Sequence, residues 1–213
     1  MNPVNTGWLF EDLISRFPGT AFEFHGHNDL GMATANAFAA IEAGANFVSG
    51  TGNGLGERAG NMAIEELITA FSFSAKMTLP YKMETLNALC RRVADASGIA
   101  ISRSKPVVGE AVFMHESGIH CRSMLKNRMS YQAFLPEKVG RKRETFSNGK
   151  HSGKAALSEF FRKMKVEPGE ETLEKLQNMV KEEAMRLKRA LEDKELIQIY
   201  AALMSDNKNS MAR

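Results

Sequence analysis

Only two segments in the first part of this chain read as β-strands, and a helix follows each of them. Ala21-Phe22-Glu23-Phe24 is the first strand and Asn46-Phe47-Val48-Ser49-Gly50 the second. A helix precedes them over residues 8–17, where Leu9, Leu13, Ile14 and Phe17 fall at helical spacing and Pro18-Gly19 ends the run. An alanine-rich helix over residues 30–43, closed by Gly44, joins the strands. After a glycine-rich loop, a third amphipathic helix covers residues 61–74. The order α, β, α, β, α predicts right-handed crossovers and a parallel sheet. Two parallel strands are marginal alone, because both faces need cover and each strand keeps an open edge. The chain is therefore expected to be the last part of a larger α/β sheet, completed by another polypeptide or by more of the same one.

After residue 82 the pattern turns helical. Leu86, Leu89 and Val93 make a stripe over residues 84–96, stopped by Gly98. An irregular stretch over 106–113, a short helix over 117–126 and a loop over 130–140 with a turn at Pro136 follow. A helix over 152–164 is expected to be capped by Ser152, and Pro168-Gly169 breaks the chain. One last long helix begins near Glu171, with Leu173, Leu176, Val180, Ala184, Leu187 and Leu191 on one side and a charged, solvated face opposite.

The composition narrows the function classes. A net charge of +3, with basic residues interspersed among acidic ones, does not make a nucleic-acid surface. The densest basic cluster, Arg141-Lys142-Arg143, reads as a solvated turn. No apolar run approaches the ~20 residues of a membrane helix, and residues 1–7 lack the basic and apolar regions of a signal peptide. Cys90 and Cys121 lie far apart without metal-type spacing, which fits reduced thiols in a cytoplasmic protein.

The chemistry concentrates in Phe24-His25-Gly26-His27-Asn28-Asp29. Residues i and i+2 of a strand point to one side, so both imidazoles would project at the strand's C-terminal end, where parallel α/β folds place their sites. Imidazole nitrogen suits zinc, manganese and similar divalent ions. Spacing alone leaves a second reading open: two unrelated strand-end histidines, one of them capping a helix. Asn28 and Asp29 suit helix capping, and Asp29 could instead orient a ligand histidine. Gly50 to Asn61 forms a glycine-rich strand-to-helix loop that fits neither a Walker loop nor a dinucleotide fingerprint. In His115-Glu116-Ser117-Gly118-Ile119-His120 the histidines are five apart, roughly 140° around a helix, so they are not expected to share a metal. Gly149-Lys150-His151-Ser152-Gly153-Lys154 precedes a helix and could bind a phosphate or cap.

Together these segments resemble the acetyl-CoA-dependent Claisen-condensing synthases of the metal-dependent TIM-barrel family, which includes 2-isopropylmalate, homocitrate, citramalate and Re-type citrate synthases. Residues 24–31, 53–61, 109–120 and 149–153 carry the resemblance, in family order. The wording is most similar to homocitrate synthases of nitrogen fixation. The resemblance implies the last two βα units of a (β/α)8 barrel over residues 1–82, then a mainly α-helical linker and small subdomain over 83–213. It implies His25, His27 and Asn61 at a divalent metal (Mg, Mn or Zn), and His120 and Tyr131 as catalytic groups. Those two would reach the active site of the other protomer of a homodimer. Acetyl-CoA would be co-substrate and 2-oxoglutarate the acceptor, with 2-isopropylmalate, citramalate or Re-citrate synthesis as alternatives. The family's Leu-Arg-Asp-Gly-x-Gln signature, with its metal-binding aspartate, is not in this sequence. The resemblance thus implies a separate chain supplying the N-terminal barrel half, or a truncated protein, and no activity without that half. A non-catalytic dimerisation or regulatory subunit is the expectation from a different class.

Overall fold

A computed structural model describes residues 1–115, 123–124, 126–142, 145–146 and 153–211. Of the sequence expectations, His120, Cys121, Arg143, Ser152, most of the 117–126 helix and the loop 149–152 lie outside the described residues. The chain divides into two compact units, Met1–Val112 with Pro136–Lys142, and Phe113–Leu135 with Arg143–Arg213.

In the first unit α1 spans Pro3–Arg16. It starts five residues before the expected position, because the Asn2 side chain accepts from the Asn5 N–H at 2.8 Å and Pro3 opens the first turn. Strand β1 is Glu23–His25, α2 is Ala33–Glu42, β2 is Phe47–Ser49 and α3 is Ile64–Phe73. β1 and β2 pair in parallel with Glu23 opposite Phe47, Phe24 opposite Val48 and His25 opposite Ser49. Phe24 and Val48 face the helices and join a core of Phe10, Ala37, Ala40, Met62, Leu67 and Phe71. The alanines of α2 let that helix lie close against the strands. On the opposite sheet face Glu23 and His25 are exposed, and Phe47 keeps 61% of its surface open.

α4 spans Leu86–Ser97 and ends at Gly98, whose φ of 70° gives the left-handed stop. The short turn Pro136–Val139 returns to this unit and packs beside Met83–Thr85, burying Val139 completely. Cys90 is fully buried in α4, and burial together with the nearby Glu65 carboxylate pushes its thiol up to about 12.

The second unit holds a short parallel pair, β3 at Met114–His115 and β4 at Thr145–Phe146, that periodicity did not announce. Its helices are α5 at Lys154–Lys163, α6 at Glu170–Leu187 and α7 at Asp193–Met211. Leu157, Phe161, Leu176, Val180, Ala184, Leu191, Leu196 and Leu203 make its core. The single long helix expected from Glu171 through Leu191 is not what forms. Lys188 turns left-handed at φ 54° and closes α6, and Arg189 grips Glu195 of α7 at 2.7 and 2.8 Å. The Arg189 guanidinium and the Glu192 N–H hold the Glu195 carboxyl down at about 2. Among the described residues, no helix is long and apolar enough to cross a membrane.

Cys90 should resist iodoacetamide at about pH 8, where an ordinary thiol of pKa ≈ 8.5 reacts readily. In a Cys121→Ser background, mass spectrometry should find Cys90 unmodified in the folded chain and modified in urea.

Candidate functional site

His25 ends β1 and His27 follows it, paired across a single bridge with Asn61. Both imidazoles are at the same end of the sheet, with ring centres 5.2 Å apart and nearly perpendicular planes. Two imidazoles bound to one ion through nitrogens about 2.1 Å away place their centres roughly 4.5–5.5 Å apart. The observed 5.2 Å lies within that range.

Asn61, the third residue expected at the metal, is bridged to His27. Its Nδ2 donates to the Leu55 carbonyl at 3.0 Å, which fixes the amide. Its Oδ1 is buried and accepts no hydrogen bond. A buried carbonyl oxygen without a donor is costly, and a cation is one partner that would satisfy it. Two imidazoles and an amide oxygen suit a divalent ion. Among the described residues no cluster of three or more His, Cys, Asp or Glu side chains is placed to hold a metal, so this corner is partial.

The loop that carries Asn61 is shaped by close approaches. The Asn61 N–H donates to the Gly54 carbonyl at 2.9 Å, and the Asn28 N–H donates to the Gly60 carbonyl at 2.9 Å, which ties the two strand-end loops together. Gly60 has φ 86°, and a Cβ there would sit 2.1 Å from the Gly54 oxygen. No side chain fits that position. The residues after His27 take roles different in part from those expected. The Asn28 Oδ1 accepts from the Ala33 N–H at 3.1 Å, so α2 begins at Ala33 and not at residue 30. Asp29 does not turn to a histidine: Arg58 takes both its carboxylate oxygens, at 2.9 and 3.0 Å, and that pairing holds the carboxyl below the usual range. No spacing rule joins residues 29 and 58, so this link was not legible in sequence.

Tyr131 belongs to the second unit and is 48% exposed. His120 lies outside the described residues.

Residues 1–93 match the HMGL-like family model, and residues 107–188 match the homocitrate synthase post-HMGL domain-like model. Similar proteins include 2-isopropylmalate synthase 2 of Caldanaerobacter subterraneus subsp. tengcongensis, 47% identical over 84% of this chain and 46% of that protein. Homocitrate synthase AksA of Methanocaldococcus jannaschii is 45% identical over 74% of this chain and 39% of that protein. Homocitrate synthase 1 of Nostoc sp. is 40% identical over 83% of this chain and 47% of that protein. Over these residues the chain is similar to 2-isopropylmalate and homocitrate synthases. It spans less than half the length of each of these three relatives.

Gly60→Ala should cost the first unit more than the about 1–3 kcal/mol of a residue forced into a sparsely allowed conformation, because its Cβ also meets the Gly54 oxygen. Urea unfolding followed by the fluorescence of Trp8, the single tryptophan, measures this.

Proposed function

We propose that this chain forms one side of the active site of a metal-dependent acyltransferase that condenses acetyl-CoA with 2-oxoglutarate, giving homocitrate and CoA. The observation that carries the reading is the pairing of His25 and His27 with the unsatisfied Oδ1 of Asn61 at one end of a parallel sheet. On this reading residues 1–82 are the last two βα units of a TIM barrel, and the rest is the post-barrel region. The bare sheet face around Phe47 supports the first point, since that face needs the remaining strands to cover it. Those strands would come from the remainder of the enzyme, in a separate chain or a longer one. The protein would work in the cytoplasm, as a homodimer joined through its post-barrel region.

His25, His27 and Asn61 would hold the divalent ion, Mg, Mn or Zn. The bound ion supplies Lewis-acid polarisation of the ketone of a chelated 2-oxoacid. A base removes a proton from the acetyl methyl group, and the resulting carbon nucleophile forms a bond to the ketone carbon. His120 would give a proton to the oxygen on which negative charge develops, with Tyr131 beside it as a hydrogen-bond donor. Water then cleaves the thioester and CoA leaves as the thiol.

The 47% identity to a 2-isopropylmalate synthase favours a second reading, with 2-oxoisovalerate as acceptor. The test is release of free thiol from acetyl-CoA. This chain alone should release none, and mixing it with an N-terminal barrel half should restore the release. Of 2-oxoglutarate, 2-oxoisovalerate, pyruvate and oxaloacetate, 2-oxoglutarate should be the best acceptor. Preference for 2-oxoisovalerate would select the second reading. Turnover by the lone chain, or none with any such half, would sink the proposal.

A further inference from the structure

Glu65 is almost completely buried, at 1% exposure, in the first turn of α3. A buried carboxylate costs several kcal/mol unless it is paired, and a well-packed apolar residue is often as good for stability. Its position therefore asks for a specific task. One oxygen, Oε2, accepts the backbone N–H of Asn53 at 3.1 Å. The other, Oε1, lies 3.1 Å from Nζ of Lys105. Lys105 also donates to Glu66 Oε1 at 2.8 Å, and Glu66 Oε2 accepts from the Thr34 hydroxyl of α2 at 3.0 Å. Asn53 sits left-handed at φ 60°, and its Nδ2 donates to the Cys90 carbonyl of α4 at 2.8 Å.

Asn53 lies in the loop that ends at Asn61. The next links are short: the Thr51 hydroxyl donates to the Leu55 carbonyl at 2.5 Å, and that same carbonyl accepts the Asn61 amide at 3.0 Å. Asn53 stands between Thr51 and Leu55, the two residues whose hydrogen bond sets the oxygen that the Asn61 side chain uses. Lys105 directly precedes a strained turn, and its carbonyl accepts the Gly109 N–H at 2.9 Å. The Val108 N–H donates to the Pro106 carbonyl at 2.8 Å around Val107, whose φ is 68°. A β-branched residue in that γ-turn is an outlier that persists only where its surroundings over-determine it.

We propose that Glu65 and Lys105 are positioning residues: an ion-paired clamp behind the site that holds the 50–61 loop and so sets the direction of the Asn61 amide. The clamp touches neither histidine. The pair divides the carboxylate: Oε2 takes the Asn53 N–H and Oε1 faces the Lys105 ammonium. The geometry of the clamp stands apart from the metal reading; only its consequence for ligand binding rests on that reading.

The test compares Lys105→Met, Glu65→Gln/Lys105→Met and Lys105→Arg in the full chain. Hydrogen exchange is read for segments 50–61, 33–42 and 86–97, and the Asn61 side-chain amide is followed by NMR. Lys105→Met should raise exchange at least tenfold in 50–61 alone and shift the Asn61 amide. In the double variant the carboxamide oxygen that replaces the Glu65 carboxylate still accepts from Asn53 and needs no cation, so both signals should return close to wild type. Lys105→Arg should stay close to wild type. Equal acceleration in all three segments, no change in 50–61, or a double variant no better than Lys105→Met would overturn the clamp. If Lys105→Met does not fold, the double variant decides alone: a protected loop supports the proposal, and loss of protection or of folding overturns it. Failure of thiol release in the reconstituted enzyme would instead remove the functional reading and leave these signals as they are.

Discussion

Everything at the histidine end depends on the parallel register of β1 with β2. His25 stands opposite Ser49, so the two strands finish level and their following loops open on the same side. From there the pairing continues beyond the sheet, through the Asn28–Gly60 hydrogen bond and the His27–Asn61 bridge. Because side chains alternate, a slip of one residue would turn His25 into the helix layer and Phe24 onto the open face. The apolar cluster around Phe24 and Val48 forbids this, since it buries that face against α2 and α3. Core packing on one side of two short strands therefore fixes the chemistry on the other.

The same alternation makes the unit incomplete as a folded object. Phe47 lies on the histidine face with most of its surface open, beside Glu23, whose carboxylate accepts from the Ser49 hydroxyl. A sheet of two parallel strands with one bare face is a poor free-standing design. It is a good corner for a larger barrel. On the proposed reading, the remaining strands cover Phe47 and bring further ligands to the two imidazoles.

Much of this was legible in the sequence. The two strands, the helices between and after them, and the shared side of His25 and His27 follow from period-two and period-3.6 patterns. What failed did so for identifiable reasons. The apolar spacing ran on through Leu191, but Lys188 adopts a left-handed turn and Leu191 is buried from the connection between two helices. β3 and β4 are two residues each, too short to carry a pattern. Asp29 met Arg58 and Glu65 met Lys105 because the fold brought distant charges together, and no local rule encodes such pairs. The Asn61 oxygen could be named as a ligand only by resemblance; its lack of a donor is a property of the folded loop.

The central claim is that His25, His27 and Asn61 form one divalent-metal corner. Pulsed electron paramagnetic resonance of Mn(II) bound to the assembled enzyme, with histidines labelled with 15N, counts the imidazoles on the ion. Two couplings are expected in the wild type and one in His25→Ala or His27→Ala, with Asn61→Ala keeping both couplings while binding Mn(II) more weakly. Two couplings that persist in His25→Ala, or none in the wild type, would contradict the account.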